Sequence, residues 1–189
     1  MARTREFEPD EALTAAMRVF WVNGFENTSY DDLVNATGVS RKGLYTVFGD
    51  KRALFEEALK HYRATVVPEI FTTLSKQDVT VKDIAEMLRG LAKMAANGEG
   101  ARGCLMANSA GDAVIRRPEI QTIFDSHLRR LSAEFTGAFE RAGVEQGRAE
   151  QLGCYYVGVM QALLLMAHAR ADGGLIMSFV ETALKELEG

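Results

Sequence analysis

The sequence predicts an all-α protein, with an N-terminal three-helix helix-turn-helix domain followed by a larger C-terminal helical domain. Apolar residues recur at intervals of three and four through nearly all of the 189 residues, and no segment of useful length alternates like a β-strand. Breaks that are rich in glycine or contain proline separate the periodic segments. With 47% hydrophobic residues and a net charge of −4, the chain is able to form a buried core.

The first and fourth predicted helices each carry one apolar stripe. The first stripe lies within residues 13–21, on a helix whose first turn accepts Pro9 and which ends at Gly24. The fourth helix begins after Asp50, a residue suited to cap it, and has its stripe between residues 54 and 62.

The second and third predicted helices are short and closely spaced. Ser29 and Asp32 have the spacing of a capping box, and Gly38 is suited to end the helix that they begin. Ser40 caps the next helix, which extends to Phe48. Two short helices joined by such a tight turn are typical of a helix-turn-helix, whose second helix presents its first residues to the major groove of DNA.

Positive charge is concentrated at the starts of the third and fourth helices, as Arg41 and Lys42 and then as Lys51 and Arg52. Cations beside helix N-terminal amides can hold a phosphodiester backbone. Acidic residues nevertheless outnumber basic ones in residues 1–62, so DNA affinity would depend on a few well-placed cations. An ordinary solvated helical surface accounts for the same charges, and this alternative stays open.

The run "GFENTSYDDLVNATGVSRKGLYTVFGDKRALF", residues 24–55, resembles the DNA-binding domain of the TetR family of bacterial transcriptional regulators. The resemblance implies a homodimer whose paired N-terminal domains bind a palindromic operator in double-stranded DNA. It also implies a C-terminal domain that binds a small effector and releases the DNA. The expected boundaries are residues 1–50 for DNA binding and 51–189 for effector binding and dimerisation, with the helix from residue 51 as connector.

By motif position, the resemblance assigns DNA contacts to eight residues of the N-terminal domain. Thr28 and Tyr45 are expected to contact phosphate, and Lys51 to anchor it. Arg41, Lys42, Gly43 and Thr46 are expected to face the groove, and Ser40 is the eighth predicted DNA-binding residue. Gly43 offers no side chain, so the backbone can approach DNA closely there. Many relatives carry histidine where this chain has Thr46, which leaves the base readout at that position open.

Beyond residue 63 the helical pattern continues through segments separated by the breaks "NGEG", "RRPE", "AGVEQG" and "ADGG". The predicted helices are 81–96, 103–113, 119–142, 150–169 and 175–187. The last two are strongly apolar, with small residues that permit close approach of another helix, and a four-helix arrangement across a two-fold axis would bury both. The predicted interface residues are Gly153, Val157, Gly158, Gln161, Leu165, Phe179 and Ala183. An intramolecular core made of the same residues is the alternative.

A cavity for a largely apolar effector is expected between the middle helices, where methionine provides an adaptable lining. The candidate lining residues are Met87, Leu91, Met94, Cys104, Leu105, Met106, Asn108, Phe124, His127, Leu128, Tyr156 and Met160. For any one of these residues, a place in the ordinary core is the alternative interpretation.

Cys104 supports a second hypothesis, in which covalent modification of the protein is the switch. Arg102 and a helix start near Gly103 would lower the pKa of its thiol, whereas a small buried hydrophobe is the alternative role. A cysteine-dependent enzyme would need Cys104 and His127 as nucleophile and base, but no third orienting group or oxyanion motif accompanies them. We therefore expect no enzyme activity.

No cofactor, metal or membrane is expected to bind this chain. Cys104 and Cys154 form no CxxC spacing, and no phosphate-binding glycine motif or HExxH is present. The most apolar segment, residues 155–169, is shorter than the roughly 20 residues needed to span a bilayer. The N-terminus lacks a signal-peptide pattern, so the expected location is the cytoplasm.

Overall fold

A computed structural model describes residues 7–98 and 102–187, apart from the side chains of residues 69 and 70, and its regular elements are all helical. The first four helices are α1 (Pro9–Asn23), α2 (Tyr30–Thr37), α3 (Arg41–Phe48) and α4 (Lys51–Thr65). The remaining α-helices are α5 (Val67–Ile70), α6 (Val81–Ala96), α7 (Leu105–Asn108), α8 (Pro118–Arg141), α9 (Gln146–His168) and α10 (Gly173–Leu184). Short 3₁₀ turns occupy Ser109–Gly111, Ala113–Arg116 and Lys185–Leu187. The all-α prediction is confirmed.

The ends of the short N-terminal helices follow from local capping. Ser29 and Asp32 form the predicted capping box of α2, and Gly38 ends the helix in the left-handed conformation with φ 68°. Ser40 and Asp50 accept hydrogen bonds from the first turns of α3 and α4, as expected from their positions.

The helix-turn-helix shares its core with α4. The ring centroids of Phe20 and Phe55 lie 5.0 Å apart, and those of Phe25 and Phe55 lie 5.1 Å apart. Leu33 and Leu44 are fully or almost fully buried and anchor α2 and α3 to the same core. The start of α4 therefore fixes the domain that precedes it, and its later turns pack against the C-terminal body.

The prediction of one continuous helix over residues 103–113 is wrong. In its place, a junction segment (residues 102–116) contains α7 followed by 3₁₀ turns. Tertiary contacts with α1 and the loop after it replace a regular helix here: Asp112 accepts the main-chain N–H of Phe25 at 2.7 Å, and the carbonyl of Gly103 accepts the indole N–H of Trp21 at 3.2 Å. Ala101, at the edge of the same sequence motif, lies outside the described residues.

In the C-terminal body, α8 lies along α9, and α10 packs against α6 and α9. Arg89 of α6 forms a two-pronged ion pair with Glu181 of α10, with a shortest distance of 2.9 Å. α9 begins earlier than predicted because Glu145 caps it by accepting the N–H of Arg148. No helix within the described ranges is long and apolar enough to cross a bilayer.

Gly153 lies where α9 approaches α8 within the same chain. A Cβ atom there would overlap the hydroxyl of Thr136 and lie 3.0 Å from the carbonyl oxygen of Ser132. Its predicted role in an interface between copies is therefore corrected, because contact between two helices of one protomer already requires the glycine.

We expect Gly153→Ala to lower the free energy of unfolding by about 1–3 kcal/mol, because the added methyl forces α8 and α9 apart. The matched control is Gly90→Ala in α6, where a Cβ would meet no atom of the described chain within 4 Å. That change should be neutral or stabilising by up to about 1 kcal/mol, since alanine favours a helix. Urea unfolding of both variants measures the difference, and equal stabilities would contradict the close-contact interpretation.

Candidate DNA-binding surface and internal cavity

The first turns of α3 form an exposed polar surface. Ser40, Arg41, Lys42, Tyr45 and Thr46 are all exposed, with Tyr45 at 63% of its full accessible area. On the opposite side of the helix Leu44 is 1% exposed and holds α3 on the core. The helix is therefore oriented with its predicted DNA-contacting residues outward.

Within this surface, individual side chains are oriented by local contacts. The guanidinium of Arg41 lies over the ring of Tyr30, 4.1 Å from its centroid, a cation–π contact that sequence reasoning missed. The Thr46 hydroxyl donates to the carbonyl of Lys42 at 2.7 Å. The side chain of Lys42 is exposed in the first turn of α3, where the main-chain amides of the helix N-terminus also attract an anion.

Glycine at position 43 has a structural reason besides the predicted approach of DNA. A Cβ at Gly43 would lie 2.8 Å from a methyl of Val39, so the tight turn itself excludes a side chain. Close approach of DNA is not needed to explain this residue.

Thr28 and Lys51 are directed into the domain. Thr28 is 1% exposed and its hydroxyl donates to the carbonyl of Gly24 at 2.6 Å, so the predicted phosphate contact by this side chain is not available in this arrangement. The ammonium of Lys51 donates to the carbonyls of Phe25 and Thr28 at 3.0 and 2.9 Å and lies 4.4 Å from the centre of the Phe25 ring. An ammonium has three N–H donors, so Lys51 can hold the loop and still offer one donor to a phosphate.

The junction segment links α1 and the loop after it, residues 24–29, to the C-terminal body. Besides the Asp112 and Gly103 contacts, the side-chain amide of Asn108 donates to the carbonyl of Arg102 at 2.6 Å and approaches the carbonyl of Trp21 at 3.4 Å. Asn108 thus belongs to the junction and not to the predicted effector cavity. The contacts of the junction segment with Trp21 and Phe25 join residues more than 80 positions apart, and no local sequence pattern indicates them.

A small internal cavity lies where α4, α8, α9 and the junction segment meet. Its lining residues are Tyr62, Val67, Phe71, Cys104, His127, Leu131, Met160, Gln161 and Leu164. Its volume is about 10 Å³, room for about one water molecule.

Three of the predicted effector residues, Cys104, His127 and Met160, line this cavity. Met94 and Leu128 are instead substantially exposed, and Tyr156 is buried with its hydroxyl donated to the carbonyl of Ala183 at 2.8 Å. The other predicted residues are buried or partly buried outside the cavity lining: Met87, Leu91, Leu105, Met106 and Phe124.

His127 is the most unusual side chain of the cavity. It is 2% exposed, and neither ring nitrogen has a hydrogen-bond partner among the described residues. Burial, together with the nearby charges of Arg63 and Arg130, lowers the pKa of His127 to about 4, so its imidazole is neutral at physiological pH. The amide nitrogen of Gln161 in the same lining is also buried and unpartnered in the described part of the chain.

Cys104 has the opposite properties from those of a sensor thiol. It is 2% exposed, and burial raises the pKa of the thiol despite opposing hydrogen bonds from neighbouring main-chain N–H groups. The Arg102 guanidinium lies 5.7 Å from the centre of the Trp21 ring, a position that helps hold the junction segment. Although Cys104 and His127 line one cavity, burial opposes the thiolate–imidazolium pair that cysteine catalysis needs.

The outer face of α9 and α10 is apolar and partly uncovered. Tyr155, Leu165 and Leu175 are 45%, 54% and 56% exposed, and a Cβ at Gly158 would have no atom of the described chain within 4 Å. Of the other predicted interface residues, Val157 and Ala183 are buried within the protomer, Gln161 lines the cavity, and Phe179 is half-buried. The predicted interface is thus corrected at its inward-facing positions.

Two models of known families match the chain, one in its N-terminal part and one in its C-terminal part. The model described as bacterial regulatory proteins, tetR family, matches residues 12–58. The model described as transcriptional regulator LmrA/YxaF-like, C-terminal domain, matches residues 80–184.

Comparison with individual proteins also finds transcriptional regulators. An uncharacterized HTH-type transcriptional regulator, YezE of Bacillus subtilis (strain 168), is 27% identical over 195 residues that cover all of both chains. The HTH-type transcriptional repressor ComR of Escherichia coli (strain K12) is 32% identical over 108 residues, 57% of this chain and 51% of ComR. A cysteine mutant of the TetR family regulator CifR, solved with 26-bp operator DNA, is 28% identical with a TM-score of 0.80 and covers 97% of this chain and 98% of its own. This chain therefore belongs to the TetR family and is a DNA-binding transcriptional regulator.

Proposed function

We propose that the protein is a cytoplasmic repressor that binds a palindromic operator as a homodimer and is released when a small molecule occupies the internal cavity. The observation that carries the proposal is that α4 and the junction segment each line the cavity and also hold the α1–α2 loop. The names of two relatives, the repressors ComR and BdcR of Escherichia coli (strain K12), and the operator complex of CifR support the repressor assignment. In this proposal, residues 1–50 bind DNA. Residues 1–6 lie outside the part of the chain that the structure describes.

The proposed release of the operator follows from the small size of the cavity. Ligand pockets commonly enclose about 300–1,000 Å³, so a bound effector has to displace some of the lining side chains. Tyr62 on α4 and Cys104 on the junction segment are part of that lining. Their displacement is transmitted to Lys51 and Asp112, which hold the loop before α2. The effector thereby favours a second arrangement of the DNA-binding helices by binding it more tightly.

Dimerisation is proposed through the exposed face of α9 and α10. Tyr155, Leu165 and Leu175 leave an apolar surface that a second copy would cover, with Gly158 allowing close approach of the two α9 helices. Two α3 helices would then read half-sites roughly 34–36 Å apart or at a multiple of this spacing. A change in the distance between the two α3 helices would oppose the docking of both helices in their half-sites at the same time.

The alternative in which modification of Cys104 is the switch is disfavoured, because a buried thiol with a raised pKa is a poor nucleophile. The repressor proposal is tested by a gel-shift assay with the DNA upstream of the protein's own gene and with a scrambled duplex of equal length. We expect preferential binding to the upstream DNA, and equal affinity for the two duplexes would contradict autoregulation by a specific operator.

For the DNA surface, we expect Lys42→Ala to weaken operator binding by about 1–3 kcal/mol and to alter base preference at one position of each half-site, as for a lost base contact. Lys82→Ala is the matched control, because it removes an 84% exposed lysine side chain from α6, a helix outside the DNA-binding domain. Fluorescence anisotropy with operator variants measures both effects. Unchanged affinity and preference in Lys42→Ala would remove this residue from the interface.

For the loop contact, we expect Lys51→Ala to lower the free energy of unfolding by about 2 kcal/mol, since two charge-assisted hydrogen bonds are lost. It should also weaken binding to all DNA sequences about equally and reduce the salt dependence by roughly one phosphate contact. Lys60→Ala, which removes only an exposed pairing with Glu56 and Glu57, is the control. Denaturation that is indistinguishable between the two variants would refute the role of Lys51 in holding the loop.

For the dimer, we expect Gly158→Glu to yield monomers, because bulk and charge at a close-contact position force two helices apart. In the single protomer this position faces open space, so the fold should be retained. Sedimentation velocity measures the association state, and circular dichroism checks the helical content. Sedimentation of the variant as an intact dimer would place the interface elsewhere.

A further inference from the structure

We propose that the ligand of the internal cavity is a small organic carboxylate, with its carboxylate held by the polar groups around His127 and its apolar body against the remaining walls. The inference rests on the proposed effector role of this cavity and adds the chemical class of the effector. It is drawn from three features: unpartnered hydrogen-bonding atoms, the sign of the surrounding charge, and the composition of the walls.

The unpartnered buried atoms at this place are mostly donors. The amide nitrogen of Gln161 and the Nε of Arg63 can only donate, and the neutral imidazole of His127 offers one donor and one acceptor. One terminal nitrogen of Arg63 donates to the hydroxyl of Ser126 at 2.8 Å, and the charge of Arg63 is near enough to act on the imidazole of His127. A ligand that satisfies this set has to supply more acceptors than donors, and a carboxylate provides two acceptor oxygens.

The charge around His127 is positive. Of the charged groups described, those that act on the imidazole are Arg63 of α4 and Arg130 of α8, and both oppose its protonation. Arg130 lies 3.9 Å from Glu134, a long distance for an ion pair, while Tyr62 and Cys104 across the cavity are neutral because burial raises the pKa of both. A negative ligand is therefore attracted to this place and a cationic one is repelled.

The rest of the lining is apolar. Five side chains without polar hydrogen-bonding groups complete the walls: Val67, Phe71, Leu131, Met160 and Leu164. A short alkyl chain or one ring attached to the carboxylate would be in contact with them. The cavity of about 10 Å³ is too small for such a body in the arrangement seen here, so the ligand has to displace lining side chains, and the flexible side chain of Met160 can move to enlarge the space.

Hexanoate and benzoate are suitable probes, with hexanamide and benzamide as neutral compounds of nearly the same shape. Each is added to the dimer bound to its operator, and release is followed by fluorescence anisotropy together with the melting temperature of the free protein. We expect at least one carboxylate to release the operator and raise the melting temperature, at a concentration about tenfold or more below that of its amide. This ratio corresponds to one charge-assisted hydrogen bond.

A pair of arginine variants tests the location of binding. Arg63→Gln should weaken carboxylate binding about tenfold or more and leave amide binding nearly unchanged, since it removes a donor and the positive charge together. Arg129→Gln, an exposed position on α8 that removes the same charge, should leave both unchanged. Equal effects of the two variants would show that only the overall charge matters and would overturn the assignment to this cavity.

The remaining outcomes separate the ligand class from the proposed function. Release by an amide as readily as by its carboxylate would refute the carboxylate class and leave the effector role of the cavity intact. Specific operator binding with no response to any of the four probes would overturn the class as stated here. Absence of specific operator binding would instead contradict the repressor proposal, whatever the protein's affinity for carboxylates in the melting experiment.

Discussion

The position of the DNA-reading helices depends on hydrogen bonds to one loop, residues 24–29 between α1 and α2. Lys51 at the start of α4 donates to the carbonyls of Phe25 and Thr28, and Asp112 in the junction segment accepts the N–H of Phe25. These charged groups form hydrogen bonds with main-chain atoms of a partly buried loop, and such charge-assisted bonds are stronger than bonds between neutral groups. Since α2 begins directly after the loop and α3 follows one tight turn later, a shift of α4 or of the junction segment moves both helices. In the proposed mechanism, the loop is thus the point where the C-terminal body acts on the DNA-binding helices.

The cavity lined by α4 and the junction segment leaves buried polar atoms without a hydrogen-bond partner among the described residues. A buried polar group left without a hydrogen bond costs about 1–3 kcal/mol, and both His127 and Gln161 carry such atoms. If only apolar side chains lined the cavity, the arrangement seen here would be more stable, but the cavity would also be harder to open. A ligand that supplies the missing partners gains free energy only in an arrangement wide enough to admit it. That difference in affinity between two arrangements is what a ligand-dependent shift requires.

The parts of the fold that the sequence predicted are those determined by residues close together in the chain. The Ser29–Asp32 capping box and the left-handed Gly38 are set within about four positions, and both were correctly predicted. Contacts across long distances could not be derived in this way. Cys104 was expected beside Arg102 at a helix start, but packing buries the thiol and directs Arg102 toward Trp21. The resemblance assigned a phosphate contact to Lys51, but it did not indicate that Lys51 bonds the loop.

The acidic composition of the chain bears on how such a small displacement can release DNA. A strongly basic domain that loses its fit to an operator still binds the phosphate backbone through general attraction. Here acidic residues outnumber basic ones over residues 1–62, and Arg41, one of the few cations on α3, is stacked on Tyr30. In the proposed mechanism, little non-specific attraction therefore remains once the two α3 helices no longer match their half-sites. Specific binding then depends on geometry, and the proposed change of loop position inside each protomer is enough to release the operator.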